Sequence, residues 1–189
     1  MLRLMGLLLC LCCVDASAAQ RINPGLSSAE IGVRLRWVKT LHCAVKQFEG
    51  EVRPVADNQQ RVSIRFDVRS LDFDGNESFA QHARSEEFFD VARYPWAVFE
   101  SVPFTSALLY EGGDLRGDLF LRGMFRQVTF TVLPSPCDRP GIDCAIEVSG
   151  KVSRSEFGMN TRRFTVKDKV SINFSMLLEP DATAKSAVK

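Results

Sequence analysis

Histidine is scarce in this sequence: 189 residues contain only His42 and His82. There is also no Gly-x-Ser-x-Gly elbow, no His-Glu-x-x-His pair and no glycine-rich phosphate loop. The common hydrolase, metalloprotease and nucleotide-binding chemistries therefore have no residues to run on. Two histidines without a paired cysteine or carboxylate spacing give no dedicated metal site. An excess of one charge is missing too. Lys plus Arg number 24 against 23 Asp plus Glu, so no overall field draws the chain towards nucleic acid or an anionic membrane. Tyrosine is equally sparse, two against 14 phenylalanines, and most aromatic surface carries no polar handle. The chain is read as a non-enzyme.

Long apolar runs are missing except at the start. Leu4 to Val14 follows Arg3 and leads to Ala16-Ser17-Ala18, the order of a secretory leader with small residues at its cleavage point. The run is too short for a good membrane span. Cys10, Cys12 and Cys13 lack the small-residue context of a lipid anchor. Residues 1–19 are therefore read as a cleaved signal and residues 20–180 as one domain with a single sizeable core. Residues 181–189 form a small, polar tail that frays. Such a leader implies a periplasmic or secreted protein with no membrane span once it is removed. In that compartment Cys137 and Cys144 are candidates for a disulfide around a short loop. Cys43 has no obvious partner.

What remains alternates apolar and polar residues at strand spacing. Glu30 to Trp37 places Ile31, Val33, Leu35 and Trp37 on one face, and a turn at Lys39 to His42 leads to a segment at Gln47 to Arg53. Arg61 to Arg69 alternates throughout, with Val62, Ile64, Phe66 and Val68 on one side. Further strands are expected over Trp96 to Phe104, Leu115 to Leu121, Gln127 to Val132, Ile146 to Val152 and Val170 to Leu178. Glu111-Gly112-Gly113-Asp114 reads as a hairpin turn. The count is eight, and eight antiparallel strands closing on themselves form a barrel that is packed solid or holds one slender ligand. The fold class is therefore all-β with a minor helix.

That helix falls in Ser78 to Tyr94, where the alternation fails. Ser78 and Gln81 have the spacing of a capping box, Phe88 and Phe89 face the core, and Glu86-Glu87 splits the stretch into two short helical turns. Pro95 forces Tyr94 out of the helical region, so a strand restarts at Trp96. The stretch is expected to close one end of the barrel.

Three stretches in order resemble the YceI-like family of lipocalin-like, polyisoprenoid-binding proteins. They are His82-Ala83-Arg84-Ser85 with Phe88-Phe89-Asp90-Val91 and Tyr94-Pro95, then Gly117 to Gly123, then Arg154-Ser155-Glu156-Phe157-Gly158-Met159. Asn23 to Ser27, Leu35-Arg36-Trp37 and Gln81 depart from the family's polar positions. The resemblance implies an eight-stranded antiparallel lipocalin-like barrel whose hydrophobic small-molecule ligand is an isoprenoid, a quinone-like molecule or another amphipathic lipid. It also makes a homodimer an expectation. The residues expected against the lipid are Val62, Ile64, Phe66, Val68, Phe88, Phe89, Phe99, Leu119, Phe130, Phe157, Ile172 and Phe174. Arg154 either anchors a loop or meets the head group. The other reading is a structural or stress-related interaction protein with a closed, ligand-free core.

Overall fold

The faultless alternation after Arg61 becomes one central strand of a curled antiparallel sheet. The computed structural model describes residues 19–36, 39–55 and 58–180. The expected leader up to residue 18, the tail 181–189 and Trp37 lie outside the described residues.

In chain order the strands begin with β1 (Gln20–Arg21), β2 (Ser28–Arg34), β3 (Thr40–Val45), β4 (Phe48–Pro54), β5 (Gln59–Asp67) and β6 (Leu71–Asp72). Helix α1 (Glu77–Arg84) precedes β7 (Trp96–Ser101) and β8 (Phe104–Thr105). Helix α2 (Ala107–Glu111) precedes β9 (Gly113–Leu121), β10 (Met124–Val132), β11 (Ile146–Ser153) and β12 (Lys169–Met176). The ladder order is β1-β4-β5-β7-β9-β10-β11-β12-β2-β3-β6, with β8 also on β5.

The sheet curls into a barrel with a seam between β3 and β4, which form no ladder with each other. Main chain spans the seam instead. Ile22 N donates to Gly50 O and Asn23 N to Leu177 O, both at 2.8 Å. At the other end the chain leaving β5 crosses to β3, where Lys46 N donates to Ser70 O at 3.2 Å.

The strand count differs from the eight expected. Nine strands have six or more residues and three have two. The segment read as a turn after Lys39 is the missing strand β3, whose buried Cys43 and Val45 face the core. Its alternation is hard to read because the run has only six residues. Burial pushes the Cys43 thiol up to about 12, so it behaves as a small apolar side chain. The segment expected as one strand to Phe104 is split into β7 and β8, because Val102-Pro103 interrupts it and proline supplies no ladder donor. Strand β5 stops at Asp67, whose Oδ1 accepts from Arg69 N at 2.9 Å and starts a 3₁₀ turn at Val68. Gly112 and Gly113 form no hairpin; they connect α2 to β9 at φ 76° and 138°. The turn from β9 into β10 is a two-residue hairpin at Arg122-Gly123, both with positive φ, as an I′ turn requires.

The Ser78 cap is also corrected. The N-cap is Asn76, whose Oδ1 accepts from Phe79 N at 3.2 Å, and Glu77 occupies the first turn. Helix α1 ends at Arg84, and residues 85–94 are successive hydrogen-bonded turns rather than helix. Strand β7 starts at Trp96, directly after Pro95.

Cys137 and Cys144 are bonded, with Cα atoms 6.2 Å apart, and close the loop between β10 and β11. Loop-closure entropy for so short a loop is worth about 2.5 kcal/mol. Reduction should therefore lower the melting temperature by roughly 5–10 °C. Scans with and without a thiol reductant check this, and superimposable transitions would remove the staple from the stability account.

Candidate functional site

The inward residues of the sheet do not line one continuous tunnel. They line two chambers separated by a waist of phenylalanine rings. Phe99 and Phe130 meet edge to face at 5.2 Å, Phe130 and Phe174 at 5.7 Å, and Phe174 stacks on Phe66 at 5.3 Å. Each ring comes from a different strand, so the waist exists only when β5, β7, β10 and β12 are in register. Two glycines make room for it. A Cβ on Gly117 would come within 2.6 Å of the Phe99 ring, and one on Gly150 within 2.5 Å of Phe130. Ring-over-glycine packing thus fixes where the interior is narrowest.

The first chamber, of about 120 Å³, lies between the waist and residues 85–94. Phe66, Val68, Phe88, Phe89, Leu119 and Ile172 form much of its wall, and Arg154 is its one charged lining residue. The second, of about 220 Å³, has Val62 and Ile64 in its wall and is covered by Leu108, Leu109 and Tyr110 of α2. Phe99, Phe130 and Phe174 face both. Phe157, expected against the lipid, lines neither chamber. It is fully buried beside the sheet, and its carbonyl accepts from Arg122 Nη1 at 3.4 Å.

Several lining residues were not singled out by sequence. Val45 was hidden with β3, and Met159 and Val166 lie in irregular chain with no period to read. The α2 cover is too short to show helical periodicity.

The lid over the first chamber is held by polar ties at its rim. Arg122 Nη2 donates to Glu86 O at 2.8 Å, and Thr161 Oγ1 to Glu87 O at 3.2 Å. Arg162 Nε donates to Glu87 Oε1 at 2.9 Å and holds that carboxyl below the usual glutamate value. His82 stands outside the chamber, with its ring edge-on to Phe88 at 5.1 Å and Nε2 3.4 Å from Glu87. Phe88 and Phe89 are half-buried and turn inward.

Arg154 is the site's unusual group. It is 4% exposed, and its guanidinium donates to the carbonyls of Met159 at 2.7 Å and of Val166 and Lys167 at 3.3 Å. Burial pulls it below the ordinary arginine value, with the Asp168 carboxylate acting in the opposite sense. These bonds occupy three of five N–H donors and pin the loop after Phe157 across the chamber. No described carboxylate pairs with it directly. Among the described residues no cluster of three His, Cys, Asp or Glu side chains converges as a metal site.

Both chambers are lined mainly by apolar side chains. The comparisons with known proteins agree on the fold. A UPF0312 protein of Enterobacter sp. (strain 638) is 33% identical over 129 residues, which is 64% of this chain and 64% of that relative's length. The crystal structure of Burkholderia cenocepacia BcnA superposes with a TM-score of 0.68 at 21% identity, over 82% of this chain and 98% of that one. A domain from Saccharophagus degradans described as polyisoprenoid binding gives 0.66 at 12% identity, over 86% of this chain and 98% of that one. The family model described as the YceI-like domain matches residues 21–178, nearly the whole described barrel. The chain belongs to the YceI-like family.

Proposed function

We propose that this protein is an exported carrier that holds the apolar tail of an isoprenoid, quinone-like or other long-chain amphipathic lipid inside the barrel, storing it or moving it through an aqueous compartment. The observation that carries the reading is the pair of apolar chambers stacked along one interior. The side chains of Phe99, Phe130 and Phe174 line both chambers and touch one another between them. Each buried CH₂ contributes about 0.8 kcal/mol before binding costs, so a tail spanning both chambers gains several kcal/mol without any polar contact. The similarity to the polyisoprenoid-binding domain of Saccharophagus degradans supports the same ligand class.

Each chamber is small beside the 300–1,000 Å³ common for ligand sites. A short chain therefore fits on one side of the waist, whereas a long one must swing the rings aside. Moving a phenylalanine off its preferred rotamer costs roughly 0.5–1.5 kcal/mol, a small toll against the tail it admits. Two unused N–H donors of Arg154 fit an acceptor oxygen on the ligand's polar end. The waist also favours a second reading, a closed structural or stress-related barrel, because its rings already touch. Uptake separates the two.

The lid provides the test. Phe88→Ala or Phe89→Ala should speed release of a bound fluorescent prenyl-chain probe about tenfold, from the apolar contact removed. His82→Ala should leave release near that of the unmodified protein. Equal release rates and melting temperatures in all three variants would remove the lid from the account.

A further inference from the structure

The near-zero net charge conceals an uneven distribution. Arg36, Arg163, Lys167 and Lys169 surround one shallow groove at the end of the barrel beside the first chamber. Arg154 lies at its base, and Asp168 is the one acidic side chain among its lining residues. The backbone brings them together. Arg36 N donates to Thr165 O and Lys167 N to Arg34 O, both at 2.9 Å, so the loop after Met159 pairs with the end of β2.

All four groove cations are exposed, and none joins an ion pair among the described residues. Elsewhere on the surface Arg53, Arg61, Arg65 and Arg139 each face a carboxylate. In the same loop Phe164 is 83% exposed, the highest among the exposed large apolar side chains. It is not on a loose segment. Arg154 pins Val166 and Lys167, Arg162 is tied to Glu87, and Arg163 Nε donates to Asn160 O at 3.1 Å. Val166 belongs to both the groove and the first chamber, so the basic end and the apolar interior share a wall.

We propose that this end of the barrel docks on an anionic lipid bilayer, with Phe164 inserted among the head groups and the groove cations over the lipid phosphates. Unpaired cations and a protruding aromatic carried by one loop are the chemistry of a peripheral membrane contact, in which attraction to anionic lipid and a buried apolar side chain act together. A soluble polyanion would use the cations but leave Phe164 in water. The surface places the chamber wall against the leaflet from which a tail would enter. That purpose rests on the lipid-carrier reading, whereas the docking itself needs no bound ligand.

Flotation of the mature protein with phosphatidylcholine vesicles, with and without phosphatidylglycerol, tests the proposal. Binding should require phosphatidylglycerol and fall at high salt, since exposed charges are screened there. Each groove cation neutralised should lower partitioning about fivefold. Lys167→Glu with Lys169→Glu should therefore abolish flotation, and Phe164→Ser should reduce it roughly tenfold. Arg116→Glu, on the outer face of β9, should change it little. Unchanged melting temperatures show that the variants are folded. Equal binding to both vesicle types, no binding to phosphatidylglycerol at low salt, or equal flotation of the Lys167/Lys169 variant would each overturn the proposal. Uptake of a cyclodextrin-delivered prenyl probe should persist in every variant. Loss of that uptake in the unmodified protein with docking intact would sink the carrier reading and leave the docking surface standing.

Discussion

Replacing Phe130 with alanine is expected to join the two chambers and to destabilise the protein by about 3–5 kcal/mol. Phe130 is 2% exposed and is the middle ring of the waist, meeting Phe99 on one side and Phe174 on the other. Its removal leaves a cavity continuous with spaces of about 120 and 220 Å³. Core truncation at the centre of a packed aromatic row allows little collapse, because the neighbouring rings are held by β7 and β12. The melting temperature should fall by roughly 8–15 °C. The informative readout is ligand length. In the unmodified protein a long prenyl chain must open the waist, so long chains bind more slowly than short ones. In Phe130→Ala that penalty disappears, and the ratio of long-chain to short-chain association rates should rise several-fold. Phe130→Leu, which preserves more volume, should give the same change of ratio with a smaller loss of stability. An unchanged ratio in both variants would show that the waist does not divide the binding space.

The second large effect is expected at Arg154. Arg154→Met keeps much of the stem's volume but strips the hydrogen bonds from the carbonyls of Met159, Val166 and Lys167. Each buried carbonyl left without a partner costs about 1–3 kcal/mol, partly offset because an unpaired cation no longer has to be buried. A net loss of about 3 kcal/mol follows. Arg154→Lys should recover little of it, since a single ammonium cannot reproduce the planar fork. Hydrogen exchange distinguishes this role from general destabilisation. Amides of the loop between Met159 and Lys167 should lose protection first, while those of β9 and β10 keep theirs. Uniform loss across the barrel would contradict the loop-anchoring role.

The fold was legible wherever a strand buries one face. Val62, Ile64 and Phe66, Leu115 and Leu119, and Val128, Phe130 and Val132 are all buried, as period-two alternation requires. Alternation was silent where the chain leaves the sheet. Strand β3 has only six residues and begins beside a run that looks like a turn, which masks its alternation. The N-cap slipped by two residues because Asn76 and Ser78 are both competent caps, and only the folded loop from Phe73 decides between them. The site was legible as a set of inward phenylalanines but not as two chambers. Which rings touch depends on register across non-adjacent strands and on Gly117 and Gly150 receiving Phe99 and Phe130. Phe157 illustrates the same limit: its burial was readable, but its position outside both chambers was not.

The basic end was invisible for a related reason. Arg36 and Lys167 are far apart in sequence and meet only through the pairing of Arg34 with Lys167 and of Arg36 with Thr165. Bulk charge averages them against carboxylates on other faces.

The carrier reading is tested most directly by a native mass spectrum of the protein purified without detergent from a host that makes polyprenyl lipids, followed by organic extraction. The expected result is an added mass that persists on gentle activation and is recovered in the extract as a prenyl-chain amphiphile. A spectrum of bare protein alone, together with no uptake of an added prenyl-chain probe, would contradict it.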